Sequence, residues 1–335
     1  MKMSKKVLAI ILAMIMVFTL AACGDKEKPA EESSVEESSV EESSVEESSE
    51  KPATATLTGK INVYTRDSSS GTRGAFEELV EFKDQLTAEA AEVASNGDMA
   101  TKVGGDPSGI GYVSLTTDFE GNNLKAVKFE GTEATEATVL DGSYTLKRPF
   151  SFVTRAAGDY PSDEVEQLVD AFIVFLTQST EGLEAVASAG GIVDIAQGKP
   201  WEELKKDHPI VDQDNSGLQI RTGGSTSVEK TLKAAADAFQ PLAGNVEFVM
   251  DQTGSGDGFK RTLGEDKDGA NAADIGFASR DFKAEETVDQ GKVSGVYCQD
   301  AVVVAVQKDN PIESLTKEQV FNIFTGNVAN WEELN

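Results

Sequence analysis

The sequence has little of what catalytic triads and metal sites are built from. Its 335 residues include a single histidine, His208, and only two cysteines. A Ser-His-Asp triad or a histidine-rich metal site therefore has little to draw on. His208, which precedes Pro209 in a polar stretch, is predicted to lie in a surface loop. A phosphatase would need a nucleophile with its base, or a metal cluster, and the sequence indicates neither, so we expect no enzyme and no cofactor.

Positive charge is also scarce. The chain has 30 lysines and arginines against 58 acidic residues, and its formal net charge is −28. Nucleic acid is excluded as a partner, because neutralising its phosphates requires a basic surface. A small anion is not excluded in the same way. It responds to local N–H dipoles and arginines, whereas net charge acts mainly on solubility and encounter rate.

Residues 1–22 are predicted to be a targeting segment. A basic start is followed by an apolar run, Val7 to Ala22, which is too short and wrongly flanked for a permanent transmembrane helix. Leu20-Ala21-Ala22-Cys23 resembles a bacterial lipobox, which implies cleavage before Cys23, lipidation of its sulfur and anchoring outside the cytoplasm. A plain secretory signal is the alternative. With Cys23 lipidated no intramolecular disulfide can form, and Cys298 is expected to be a small buried strand residue.

Residues 23–56 are predicted to be a disordered acidic tether. Glu31 to Glu50 is essentially four copies of Glu-Glu-Ser-Ser-Val. Such a segment repels itself and has almost no apolar content to bury. An acidic interaction tail is the alternative.

From residue 57 onward, strand and helix patterns alternate, which predicts an α/β fold with largely parallel strands. This part is long enough for two domains with cores of their own. Three expectations are specific enough to test. Ala137 to Leu140 is expected to be a strand, Trp201 to Gly217 a loop or linker, and Thr226 to Phe239 a helix that begins with a Thr226–Glu229 capping box.

The run Arg66 to Arg73 is typical of an anion cradle. It places two arginines, several hydroxyls and a glycine between a predicted strand, Ile61 to Thr65, and a helix that begins near Thr72. Free N–H groups and the positive end of a helix dipole converge at such a turn. Arginine side chains can add charge-assisted hydrogen bonds. An ordinary capped helix with surface arginines is the alternative.

Two later segments repeat this design. Gly223 to Glu229 and Gly254 to Gly258 each follow a predicted strand and open a helix. Neither is a Walker A loop or a dinucleotide fingerprint. Glycine-rich turns often serve only close packing, but three such turns rich in hydroxyls predict one site where several helix N-termini surround an oxyanion.

These segments resemble the phosphate-binding lipoproteins of the phosphate-specific ABC transporter. The resemblance implies the type II periplasmic-binding-protein fold, with a ligand cleft between two lobes, and it extends over nearly all of the chain from residue 57. The matching segments are Gly224 to Val228, Gly254 to Gly256, Asp274 to Arg280, Asn310-Pro311, Ile323 to Asn327, Asn330-Trp331, Arg66 to Arg73, Gly109 to Tyr112, and Gly142 to Tyr144 through Arg148-Pro149.

The order of the segments differs from that of the family. The family has the Gly-Ser-Thr-Ser-Val segment first and the Ser-Gly-Thr-Arg segment in its second half, so this chain is predicted to be a circular permutant. A truncated tandem repeat is the alternative. Mapped onto this order, residues 57–145 plus 301–335 would form one lobe and residues 146–300 the other. The chain would cross between the lobes near Leu146 and Ala301.

The resemblance also implies the phosphate contacts. They fall on Arg66, Ser70, Gly71 and Thr72 in one lobe. In the other lobe they fall on three hydroxyl side chains and one arginine, namely Thr226, Ser227, Ser255 and Arg280.

Arg280 is a departure from the family pattern. Some members have an aspartate there, which accepts the proton of hydrogen phosphate and so rejects sulfate. Arginine cannot accept a proton. Either another carboxylate such as Asp257 takes this role, or the anion is bound more electrostatically and less selectively.

The function implied is that of a monomeric, lipid-anchored extracytoplasmic receptor that captures inorganic phosphate and delivers it to the permease subunits of an ABC transporter. Two alternatives keep the fold. One is a receptor for another oxyanion such as sulfate or molybdate, and the other is a surface sensor or adhesin that reuses the lobes without transport.

Overall fold

The computed structural model describes residues 57–334. The predicted targeting segment, Cys23 and the acidic tether lie outside the described residues. Within them, strands and helices alternate along most of the chain. The strands are β1 Asn62–Arg66, β2 Ala91–Val93, β3 Gly109–Ser114, β4 Leu124–Ala126, β5 Lys128–Phe129, β6 Lys147–Thr154, β7 Gln219–Gly224, β8 Glu247–Gln252, β9 Ile275–Ala278, β10 Ser294–Gln307 and β11 Ser314–Leu315. The α-helices are α1 Gly71–Val80, α2 Asn96–Gly104, α3 Glu136–Leu140, α4 Asp163–Gln178, α5 Thr180–Ser188, α6 Trp201–Leu204, α7 Glu229–Phe239, α8 Ser255–Thr262 and α9 Lys317–Thr325.

Most strands join one mixed sheet in the order β2-β1-β3-β10-β6-β9-β7-β8, and β4 adds to β10. Both ends of this sheet are parallel, namely β2-β1-β3 and β9-β7-β8. The centre, β3-β10-β6-β9, is antiparallel. The expectation of largely parallel strands was therefore wrong for the centre. An apolar run shows that a strand is buried but not which way its neighbours run.

Strand β10 is the central element of the sheet. Its first half pairs with β6 from Ser294 to Ala301, and its second half pairs with β3 from Val302 to Val306. The run Ala301 to Val306 is buried throughout, as its near-continuous β-branched composition predicts. Cys298 is also a buried β10 residue, which confirms the expectation for it.

Two hydrophobic clusters flank this strand. The first core is built around Phe76, Tyr112 and Phe324, with β10 residues from Ala301 to Val306. The second core packs α4 and α7 against the sheet and includes Phe172 and the N-terminal half of β10 through Tyr297 and Cys298. Both cores are dominated by aromatic and branched side chains, whose burial is the main favourable contribution to folding.

Residues 136–140 form a helix, so the predicted strand at Ala137 to Leu140 is wrong. The Thr135 side chain accepts from the Thr138 N–H, and the Thr138 side chain accepts from the Thr135 N–H. This reciprocal cap fixes one helical turn. It overrides the strand preference of Thr138 and Val139.

Residues 201–217 are more ordered than a linker. Trp201 opens α6 and is 2% exposed, with its ring edge-on to Phe175 at 5.3 Å between centroids. Ile210 and Val211, in a short 3-10 segment, join the same core. His208 is half-buried beside the Trp201 ring rather than a plain surface residue. Because the stretch is mostly polar, its composition did not indicate that Trp201, Ile210 and Val211 would be buried.

No helix in residues 57–334 is long and apolar enough to cross a membrane.

Candidate functional site: an arginine and a hydroxyl cluster

Arg66 ends β1 and is 1% exposed. Its Nη2 donates to the Ala94 carbonyl at 3.0 Å and lies 3.7 Å from the Asp67 carboxylate. Its Nε has no hydrogen-bond partner within the described residues. Burial lowers the pKa of Arg66, and Asp67 opposes the shift. Since arginine keeps its charge in proteins, the site holds a buried cation with a donor to spare.

The turn after β1 is organised as predicted. Ser70 is the N-cap of α1, and its Oγ accepts from the Arg73 N–H at 3.3 Å. The Arg73 guanidinium bonds the Glu77 carboxylate at 2.6 Å and the Arg66 carbonyl at 3.0 Å. Arg73 is thus a supporting residue of the helix face.

Five buried hydroxyls meet where four chain segments converge. We call this group the hydroxyl cluster. Its oxygen–oxygen distances are 2.8 Å for Thr72–Ser227, 2.9 Å for Ser225–Ser279, 3.3 Å for Ser255–Ser279 and 3.5 Å for Thr72–Ser279. None of the five side chains bonds a carboxylate within residues 57–334. A hydroxyl both donates and accepts, so the cluster can reorient its protons around a bound anion.

The cluster joins the two cores. Thr72 lies on α1 beside the first core, whereas Ser227 and Ser255 flank the starts of α7 and α8 beside the second. Gly71 allows this approach, because a Cβ there would lie 2.1 Å from the Ser255 oxygen. A backbone hydrogen bond joins the same two segments, since the Gly256 N–H donates to the Ser69 carbonyl at 3.1 Å.

Helix α7 does not begin with the predicted capping box. It begins at Glu229, and no side chain caps it. The hydroxyls of Thr226 and Ser227 are used across the site instead. The Asn96 N–H, at the start of α2, donates to Thr226 Oγ1 at 3.2 Å, and Ser227 pairs with Thr72. Tertiary contacts displaced the local cap.

Arg280 lies apart from the hydroxyl contacts. Its guanidinium holds the Glu286 carboxylate with two bonds, of 2.7 and 2.9 Å, and donates to the Asp281 carbonyl at 2.9 Å. Asp257, the suggested substitute acceptor, takes a bond from the Thr253 hydroxyl at 2.5 Å. The structure therefore brings Thr72, Ser227 and Ser255 into one cluster through Ser279, whereas the Thr226 hydroxyl accepts from α2 instead. It does not bring Arg280 to them.

Sequence reasoning missed Ser279 as a site residue. Its hydroxyl is central to the cluster, and its N–H donates to Ser255 Oγ at 3.0 Å. The available signal was its position directly before Arg280 in a segment already singled out. Ser225 had been noted as a hydroxyl of its glycine-rich turn but was not among the predicted contacts.

A buried ion pair was also missed. Arg148 on β6 faces Asp300 on β10, with Nε and Nη2 at 2.9 and 2.8 Å from Oδ2. Burial raises the pKa of Asp300 and lowers that of Arg148, and each partner opposes the shift of the other. No group of acidic, histidine or cysteine side chains within residues 57–334 could hold a metal ion.

Comparisons with known proteins agree with this architecture. The family model described as a PBP superfamily domain matches residues 48–181 and 209–335. The phosphate-binding protein PstS 2 of Streptococcus agalactiae serotype V is 30% identical over 292 residues, covering 84% of this chain and 90% of the relative. PstS 2 of Streptococcus pneumoniae serotype 4 is 27% identical over 338 residues, covering 98% and 99%.

A solved structure is similar as well. It is a phosphate-binding protein of a phosphate ABC transporter from Streptococcus pneumoniae TIGR4, with a TM-score of 0.59 and 26% identity, covering 83% of this chain and all of that one. The chain belongs to the PBP superfamily and, within it, to the family of phosphate-binding proteins named PstS. The predicted family and fold class are thereby confirmed. Both relatives are named phosphate-binding proteins, and the solved structure is that of the phosphate-binding protein of a phosphate ABC transporter.

Proposed function

We propose that this chain captures inorganic phosphate outside the cytoplasm and delivers it to the permease of an ABC transporter. The observation that carries the proposal is the buried hydroxyl cluster, contributed from both cores, together with the buried Arg66 that has an unpartnered Nε. Neutral donors and one fixed cation suit a small oxyanion. The printed names of the relatives point to phosphate.

The proposed ligands are divided between the two cores. Arg66, with Thr72 and the N–H groups at Gly71 and Thr72, would hold the anion from the first core. Ser227, Ser255, Ser279 and the Thr226 hydroxyl would hold it from the second. Ser70 would orient the turn between β1 and α1 as the N-cap of α1. Arg280 would contribute to phosphate binding indirectly, through its ion pair with Glu286.

We propose that the two cores are the two lobes of the receptor, at residues 57–145 plus 301–335 and 146–300. Support comes from the membership of the two hydrophobic clusters, which, apart from Ile192 in the first cluster, changes from one to the other near Leu146 and near Ala301. Small-molecule sites commonly lie at such a junction.

Attachment to the membrane through lipidated Cys23, a monomeric state and the circular permutation are further parts of the proposal. The match to PstS 2 of Streptococcus pneumoniae over 98% of this chain and 99% of that one favours a segment order that the two chains share. The single occurrence of each motif favours permutation over a truncated tandem repeat.

Calorimetric titration with phosphate and with sulfate tests the function. We expect phosphate to bind with a Kd below about 100 μM. Fluorescence of Trp201 and Trp331, both 2% exposed and one in each core, gives an independent signal. Absence of phosphate binding by both methods would refute the proposal, and sulfate binding in its place would indicate a receptor for another oxyanion.

A further inference from the structure

The Arg148–Asp300 pair lies where β6 and β10 face each other between the two cores. Arg148 is 2% exposed and Asp300 is fully buried. A buried ion pair is weak evidence for stability, because the cost of removing two charges from water can exceed their attraction. The pair lies on β6 and on β10, the strand that contributes to both cores, and a role beyond stability would depend on which of its atoms remain unpaired.

Arg148 has two donor atoms left over. Its Nε donates to Asp300 Oδ2 and its Nη2 lies 2.8 Å from the same oxygen, but neither Nη1 nor Nη2 has a hydrogen-bond partner within the described residues, like Nε of Arg66. Burial lowers the pKa of Arg66, and the charge of Arg148 contributes to this shift in the same direction. The remaining ionisable groups that face Arg148 are Tyr112 and Cys298, and burial raises the pKa of both, which keeps them neutral near pH 7.

A chain of hydrogen bonds connects the pair to the proposed ligands. Asp300 Oδ1 accepts from Ser114 Oγ at 2.9 Å, and the Ser114 N–H donates to Asn96 Oδ1 at 2.9 Å. The Asn96 N–H then donates to Thr226 Oγ1 at 3.2 Å. The position of the Arg148–Asp300 pair is thus linked by hydrogen bonds to Thr226, one of the residues proposed to bind phosphate.

We propose that Arg148 is a second cation of the phosphate site, held in place by Asp300, with Nη1 free to donate to the bound anion. This inference rests on the proposed function. Phosphate near neutral pH carries up to two charges, and one buried arginine balances only one of them. Charge-assisted hydrogen bonds from a second guanidinium would favour the dianion. This role would explain why the Arg148–Asp300 pair is buried although burying two charges is unfavourable, and why Nη1 of Arg148 has no hydrogen-bond partner within the described residues.

Three variants distinguish this role from a structural one: Arg148→Met, Asp300→Asn and the double variant. Phosphate Kd and Tm are measured for each in the full chain. Arg148→Met is expected to weaken phosphate binding by at least about tenfold and to lower Tm, because it strands a buried carboxylate. Asp300→Asn keeps a hydrogen bond to Arg148 without neutralising it, so phosphate should bind no more weakly than to the wild type.

The double variant decides the matter. It leaves neither charge buried alone, so Tm should recover towards the wild-type value while phosphate binding stays weakened by at least about tenfold. Wild-type affinity in the double variant would overturn the inference. So would a loss of affinity in Asp300→Asn as large as that in Arg148→Met.

Arg155→Met is the matched control. Arg155 is also a buried arginine of the second half of the chain, and it donates to the Lys267 carbonyl at 2.7 Å and the Ala273 carbonyl at 3.4 Å, with no bond to the hydroxyl cluster. It should lower Tm and leave phosphate Kd unchanged. Wild-type titration tests the proposed function separately, since phosphate binding that is insensitive to Arg148 would refute this inference alone.

Discussion

Thr72 is the residue on which the proposed site depends most directly. It is 1% exposed, and its hydroxyl is the one from the first core that reaches both Ser227 and Ser279. Within residues 57–334 the Thr72 hydroxyl bonds the hydroxyls of Ser227 and Ser279 and no carboxylate. Selectivity at this scale therefore rests on the number and placement of hydroxyls.

Thr72→Val should weaken phosphate binding about 10- to 100-fold, because a hydrogen bond to a charged group contributes roughly 1.5–3 kcal/mol. The shape of the side chain is nearly kept, so Tm should change little. Calorimetry gives the Kd and thermal unfolding gives the Tm.

Thr262→Val is the control for this change. Thr262 is equally buried at the end of α8, and its hydroxyl has no hydrogen-bond partner within the described residues. Its replacement should leave phosphate Kd unaltered. If both variants bound phosphate like the wild type, Thr72 would have no place in the site.

Among the elements, Lys292, two residues before β10, is expected to have a measurable role in stability. Lys292 bonds Glu166 and Asp170 on α4, at 2.6 Å each, and so ties the start of the central strand to that helix. The hydrogen bond from Lys292 lowers the pKa of Glu166. A carboxyl with a lowered folded-state pKa stabilises the fold above its unfolded pKa and loses that contribution as the pH falls.

Lys292→Met should therefore reduce stability near pH 7 and flatten the loss of stability between about pH 5 and pH 3, where unpaired carboxyls protonate. Urea unfolding at a series of pH values measures both effects. Lys233→Met is a suitable control, since Lys233 makes only an exposed pair with Asp237 on α7. An acid-unfolding profile of Lys292→Met that parallels the wild type would contradict this account.

Local patterns in the sequence predicted the elements better than their associations. The turn at Arg66 to Arg73 could be predicted because its cap, its helix and its cation are all local. The use of Thr226 by α2 and the Arg148–Asp300 pair could not, because each depends on residues more than a hundred positions away. For the same reason the sequence indicated the buried run of β10 but not its antiparallel neighbours.

At the scale of the whole molecule, the first and last described segments lie side by side. Lys60 forms an antiparallel bridge with Asn330, and the Trp331 N–H donates to the Gly59 carbonyl at 3.0 Å. Neighbouring ends are the condition under which a chain can be reopened elsewhere without a change of fold.

A repermuted chain tests this directly. Joining residue 334 to residue 57 with a short flexible linker and opening the exposed loop between Ser216 and Gly217 would give the segment order that the resemblance implies for the family. We expect it to fold cooperatively and to bind phosphate with the Kd of the parent. Opening the chain inside β10 instead, after Asp300, should prevent folding. A repermuted chain that fails to fold would count against the proposed permutation.

The formal charge of −28 sets the kinetics of capture. Protein and ligand repel each other at long range, so screening by salt should raise the association rate for phosphate. Stopped-flow tryptophan fluorescence in increasing potassium chloride measures it. An association rate that falls with salt would contradict this expectation. It would indicate either that chloride competes for the site or that local attraction by the cleft outweighs the long-range repulsion.

The sharing of β10 has a consequence for how the molecule comes apart. Its backbone bonds β6 with residues 294–301 and β3 with residues 302–306, so we expect the opening of one ladder to be coupled to the opening of the other. Hydrogen exchange at β10 should therefore report global opening in both halves at once, rather than two independent subglobal events. A receptor that moves its lobes to take up and release a ligand would do so by twisting a common strand, with its least exchangeable amides at the axis of the motion.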